Sequence, residues 1–254
     1  MQVTEFFLNI TSDNPDALVS FYRDIVGLPQ RTDMGPSSYA AGGAILGFDE
    51  HKDTKGRAVQ PQRLLLDLTV GDAKAERERL EAKGVVFTRK EGQEAWGGLI
   101  SAFTDPDGNI VQLFQLPEGM APPLVPGQVG GFTLDITSED PAKLLAFYRD
   151  VVGLAPFPAI GPNGLQVTET GFLHVDTHSE TRGPAAEPNR LLIDFWVEDV
   201  RAERARMEAA GARFFRKEGV EFWGGVISAC TDPDGNIVQL IQYDPALDTT
   251  VAQG

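Results

Sequence analysis

The sequence predicts an α+β protein built by tandem duplication, and three observations predict it. The stretch "RKEGQEAWGGLISAFTDPDGNIVQLFQ" (Arg89 to Gln115) returns as "RKEGVEFWGGVISACTDPDGNIVQLIQ" (Arg216 to Gln242), with five differences in 27 positions. Their offset of 127 residues is too long for a solenoid repeat and suits a duplicated domain. The match extends upstream, where "RLLLDLTVGDAKAERERLEAKG" faces "RLLIDFWVEDVRAERARMEAAG" and "ITSDNPDALVSFYRDIVGLP" faces "ITSEDPAKLLAFYRDVVGLA". Within each copy, strand-like and helix-like segments follow the order β-α-β-β-β twice, so the chain holds four units.

The elements can be justified in order. "EFFLNI" and "GFTLDI" read as short strands, and the Ser-Asp and Ser-Glu-Asp-Pro turns after them suit helix N-termini. The next helices bury Leu18, Phe21, Tyr22 and Ile25, or Leu144, Phe147, Tyr148 and Val151, at helical spacing. Gly27 and Gly153 end them. Short strands follow through Phe48 and Val175. The order then restarts with "RLLLDLTV" or "RLLIDFWV" and an Ala/Glu/Arg-rich helix ended by Gly84 or Gly211. Further strands close on the "DPDGN" turn and "IVQLFQ" or "IVQLIQ". Domains are expected at 1–117 and 129–245. Between them lies a Pro/Gly-rich linker, 118–128, and 246–254 is expected to be a flexible tail.

Composition bounds the function. With 42% apolar and 23% charged residues in 254, the chain has material for real cores. A net charge of -15 argues against nucleic acid and anionic membranes as partners and would welcome a cationic ligand, although solubility alone explains it. Cys230 is the only cysteine, so no internal disulfide or Cys-rich metal site is available. No apolar run has the length of a membrane span and the first residues lack signal-peptide features, so a cytoplasmic location is expected.

The "FYRDIVGL" and "FYRDVVGL" helices, the "AWGG" and "FWGG" segments and two "TDPDGNIVQL" turns resemble the vicinal oxygen chelate superfamily, which includes glyoxalase I, bleomycin-resistance proteins and extradiol dioxygenases. The resemblance covers nearly the whole chain apart from linker and tail. It implies tandem glyoxalase-like domains, each of two βαβββ units, with curved mixed sheets forming cups and helices on the outside. Strand alternation then sends Leu64, Leu66, Leu68 and Val70 toward helices and Arg63, Leu65, Asp67 and Thr69 toward a cup. In the second half the cup side is Arg190, Leu192, Asp194 and Trp196. Arg63 and Arg190 are expected to pair with Asp67 and Asp194.

Metal-dependent members of that family carry His, Gln and Glu at four cup positions. Carried over residue by residue, these fall on Phe7, Gly47, Leu65 and Gln112 in the first half and on Thr133, His174, Leu192 and Gln239 in the second. Mixing strands between halves gives Phe7, Gly47, Leu192, Gln239 and Thr133, His174, Leu65, Gln112. None of these sets supplies four ligands. The leading expectation is therefore a protein that binds a small organic molecule without cofactor or catalytic metal, with Gln112 and Gln239 either contacting the ligand or satisfying neighbouring polar groups. The second reading is a lyase, isomerase or dioxygenase holding one divalent metal through unusual ligands around His174. The third is an interaction protein whose cups are filled by side chains. Whether the chain is an enzyme stays open, and so does monomer against homodimer.

Other candidates are Trp96 and Trp223, preceded by Glu94 and Glu221 on the same strand face, and Trp196. An indole beside a carboxylate could hold a cationic or aromatic ligand, with the Gly-Gly pair admitting it, or the Trp could be core. His51 and His178, aligned between halves, read as exposed strand-end residues. Divergence between Phe7 and Thr133, Gly47 and His174, and Thr69 and Trp196 predicts inequivalent cups, with the second half the more polar.

Overall fold

The structure, a computed structural model, describes residues 1–120 and 123–250. The first unit comprises β1 (Glu5–Ser12), α1 (Pro15–Ser20) running into a π-helical turn (Phe21–Val26), β2 (Ser38–Ala41) and β3 (Ala44–Glu50). The second comprises β4 (Leu64–Thr69), α2 (Ala73–Ala82), β5 (Phe87–Gln93), β6 (Leu99–Thr104) and β7 (Ile110–Gln115). The third comprises β8 (Gly131–Thr137), α3 (Pro141–Ala146) with a π-helical turn (Phe147–Val152), β9 (Ala155–Pro156), β10 (Gly164–Gln166) and β11 (Gly171–Asp176). The fourth comprises β12 (Leu191–Trp196), α4 (Val200–Ala209), β13 (Phe214–Val220), β14 (Trp223–Thr231) and β15 (Ile237–Asp248). The first unit thus has two full strands after its helix. Where a third was expected, Gln30 makes only an isolated bridge to Tyr39. β15 runs to Asp248, into the segment read as a tail, and residues 251–254 lie outside the described residues.

The strands form two mixed sheets. The first has the order β13-β14-β15-β12-β1-β3-β2 and the second β5-β6-β7-β4-β8-β11-β10-β9. Each central seam is antiparallel and joins the two halves of the sequence, β1 to β12 and β4 to β8. The first sheet is therefore built from units one and four, the second from units two and three. Alternation divides the faces as expected. Leu66, Leu68 and Val70, and likewise Leu191, Ile193 and Phe195, enter the apolar core, while their neighbours face the cups.

The repeated motifs are two ends of one contact. Tyr22, fully buried in the π-helical turn, donates its hydroxyl to Asp105 Oδ2 at 3.2 Å. Asp105 also accepts from the Asn109 backbone at 2.9 Å and its side-chain amide at 2.8 Å. Tyr148, Asp232 and Asn236 repeat this at 2.9, 2.9 and 2.7 Å. The turn closes because Gly108 adopts φ +85° and Gly235 φ +87°, a region glycine enters without a Cβ penalty. "FY" and "DPDGN" thus clip a helix of one unit to the β6–β7 or β14–β15 turn of the next.

Two buried arginines lock the halves together. Arg63 donates to Gly183 O at 2.7 Å and Arg182 O at 3.1 Å, and lies 3.4 Å from Asp234. Arg190 donates to Gly56 O at 2.9 Å and Lys55 O at 3.1 Å, and pairs with Glu187 at 2.8 Å and Asp107 at 3.5 Å. The expected pairs with Asp67 and Asp194 are not formed. Arg63 and Arg190 stand just before β4 and β12, and their guanidinium groups turn instead to carbonyls in loops of the other half.

Candidate functional site

The first sheet carries a cavity of about 840 Å³ on its cup face. Its floor follows from strand register. Gln239 on β15 lies beside Asp194 on β12, which lies opposite Phe7 on β1. One step along, Asn9 lies opposite Leu192 and beside Gly47 on β3. The mixed set Phe7, Gly47, Leu192 and Gln239 is therefore the one this sheet assembles. Of the residues singled out in the sequence, Phe7, Gly47, Asp194, Trp196, Glu221, Trp223 and Gln239 line the cavity.

Phe7 and Gly47 form a steric pair. A Cβ at position 47 would stand 2.3 Å from Phe7 Cζ, so the ring covers the place from which a β3 side chain would emerge. The second sheet has the small Thr133 and the larger His174 at the corresponding positions. Above the floor, Phe7 lies 6.5 Å from Trp196 between ring centroids. Trp196 stacks on Trp223 at 5.9 Å and 27°. The Gly-Gly pairs make room for the protein's own indoles. A Cβ on Gly225 would lie 2.0 Å from the Trp223 ring, and one on Gly98 1.6 Å from Trp96. Glu221 is ion-paired to Arg216 and Glu94 to Arg89.

Asp194 is the most unusual group in the site. It is 2% exposed, and its Oδ1 has no hydrogen-bond partner. Burial, with the charge of Asp49 added, pushes its carboxyl well above the usual range. Asp49 accepts from Asn9 Nδ2 at 3.1 Å, and Trp196 Nε1 is also buried without a partner. Sequence reasoning missed Asn9 and Asp49, although alternation places both on the face of Phe7 and Gly47. It noted Asp194 but assigned it to Arg190.

Gln112, Thr133, His174, Glu94 and Trp96 belong to the second sheet and do not line this cavity. There Asp67 lies between Gln112 and Thr133 in register, and His174 beside Asp135. His174 Nδ1 is 3.2 Å from Asp135 Oδ1. Burial pulls the imidazole down, but the Asp135 hydrogen bond and the charges of Asp135 and Asp176 outweigh it, so the net shift is upward. Asp67 is raised by burial and then by Asp135. Trp96 stacks on Phe114 at 4.7 Å. His51 and His178 accept backbone N–H groups of Asp53 and Glu180, each at 3.2 Å, and so serve turns.

The four metal positions of the first cup offer one amide, and those of the second offer an imidazole, a hydroxyl and an amide. Neither donor set suits the divalent ion that the fold's chelating relatives use. Among the described residues, no group of three or more His, Cys, Asp and Glu side chains could hold a metal.

Residues 6–113 match the model of the Glyoxalase/Bleomycin resistance protein/Dioxygenase superfamily, and residues 131–241 match that of the Glyoxalase-like domain. The chain belongs to this superfamily. Similar structures of the superfamily's fold include a glyoxalase I mutant from Zea mays, with a TM-score of 0.67, 16% identity, and coverage of 95% of this chain and 93% of that one. The cppA protein from Streptococcus pneumoniae gives a TM-score of 0.56 at 11% identity, over 95% of this chain and 100% of that one. These likenesses show the fold. In sequence, CFP32 of Mycobacterium bovis, provisionally named a glyoxylase, is 29% identical over 151 residues. The alignment covers 58% of this chain and 57% of that protein, so the chain spans little more than half the length of the curated relative. No helix among the described residues is long and apolar enough to cross a membrane.

Proposed function

We propose that this protein binds a small organic molecule in the cup of its first sheet, without a catalytic metal. The observation that carries the reading is the composition of the cup floor. Where chelating relatives place metal ligands, this sheet has Leu192 on β12 and, lining a cavity of about 840 Å³, Phe7 folded over Gly47 with Gln239. Such a volume lies in the range of small-molecule sites, and an apolar wall with few convergent polar groups is their usual chemistry. Gln239 can donate and accept, and Asp194 supplies an unpaired polar atom. The open cavity speaks against a cup filled by its own side chains.

The test is a thermal-shift screen of organic compounds and divalent ions on purified protein. A compound that binds only the folded state raises the transition by about 5–10 °C at a hundredfold excess over its Kd. That gain is expected to vanish in Trp196→Ala. Stoichiometric metal that survives purification and is lost in His174→Ala would instead make the second cup a metal centre and sink the reading. A screen with no stabilising compound would sink it too.

A further inference from the structure

The ionisable side chains that line the first cup point to the charge of its ligand. Asp33, Asp49, Asp194, Glu221 and Asp248 line it, and among the described residues no Lys, Arg or His does. Four of these acids are already engaged: Asp33 by Arg31, Glu221 by Arg216, Asp49 by Asn9, and Asp248 by the Tyr243 hydroxyl at 2.9 Å. Asp194 is different. It sits mid-strand and buried, with an oxygen that no protein group satisfies, and Arg190, just before the strand, is committed elsewhere. An unpaired buried carboxylate is costly, and a donor arriving with a ligand would remove that cost. Two residues along the same strand face, about 7 Å away, Trp196 stacks on Trp223, and both indoles line the cavity. Aromatic faces are electron-rich and attract cations.

Resting on the binding function proposed above, we propose that the ligand is a flat aromatic molecule with a protonated nitrogen, its ring against the Trp196–Trp223 pair and its N–H donated to Asp194. The chain's net charge of -15 would draw such a cation in. A protonated Asp194 donating to a neutral carbonyl is the rival chemistry.

Three probes with one ring system separate these cases by calorimetric titration at mildly alkaline pH. They are 9-aminoacridine as cation, acridine as neutral ring and acridine-9-carboxylate as anion. The cation is expected to bind at least about tenfold more tightly than acridine, and the anion not at all. Asp194→Asn is expected to weaken 9-aminoacridine by about 10- to 100-fold, the range for a lost charged hydrogen bond, while leaving acridine unchanged. Asp67→Asn, the equivalent change in the second cup, is expected to alter neither, which controls for effects on folding. Equal binding of neutral and cationic rings, no loss in Asp194→Asn, or no binding by any of the three would overturn the inference. A neutral or anionic compound that stabilises the protein through Trp196 would keep the proposed function and sink this inference alone.

Discussion

Asp105 shows what one buried carboxylate does in this fold. It ties Tyr22 to the turn of the next unit and is pushed up to about 6, first by burial and further by Asp107, against the lowering hydrogen bonds from Asn109 and Tyr22. Asp232 is raised by the same causes in the second half. Because the folded value lies above the ordinary one of 3.8, the folded state holds the proton more tightly. This group's contribution to stability is therefore greatest below the ordinary value, falls as pH rises toward about 6, and is flat beyond it. The fall corresponds to about 3 kcal/mol at 1.36 kcal/mol per unit. Asp105→Asn should lower stability at every pH while removing this slope. Urea unfolding of both proteins across mildly acidic pH checks it, and parallel curves would contradict it.

At the scale of elements, strand β14 begins with an indole folded back on its own backbone. Pairing with β15 is irregular between Trp223 and Gly225, and the Trp223 ring occupies the space a Cβ on Gly225 would need. Gly225→Ala should push the ring off the strand, break its stack with Trp196 and cost about 1–3 kcal/mol, as overpacking does. Tryptophan emission and the denaturation midpoint report both effects. An unchanged emission spectrum would mean that the cavity wall does not depend on this glycine. Alternation along β4, β7, β12 and β15 could be read from period two, and with it the cup faces that carry Asp194, Trp196 and Gln239. The reason for Gly-Gly could not be read, because period fixes a face but not which ring lies on it. Nor could the fate of Arg190, whose carbonyl partners, Lys55 and Gly56, sit in a loop about 135 residues away in sequence.

At the scale of the whole molecule, duplication leaves a choice that strand patterns cannot make. β1 could meet β4 within its half or β12 across halves, and both pairings bury the same faces. The structure takes the second route, so each sheet needs strands from both halves. The two arginines reinforce it, Arg63 binding the 182–183 turn and Arg190 the 55–56 turn. A chain cut to residues 1–120 would bare the seam edges of β1 and β4, each with buried apolar side chains and unpaired backbone groups. Such edges seek partners, and the natural one is the other edge on a second copy, β1 to β4 in trans. The isolated half should therefore run as a dimer or larger species in light scattering. Co-expression with residues 123–250 should restore one particle of the size of the intact protein. Arg190→Ala in the intact chain should cost about 3–5 kcal/mol, because Asp107 and Glu187 lose their buried partner. A half that stays monomeric and unfolds cooperatively would show that β1 and β4 can satisfy each other within one copy, and that the exchange of units is not what holds this protein together.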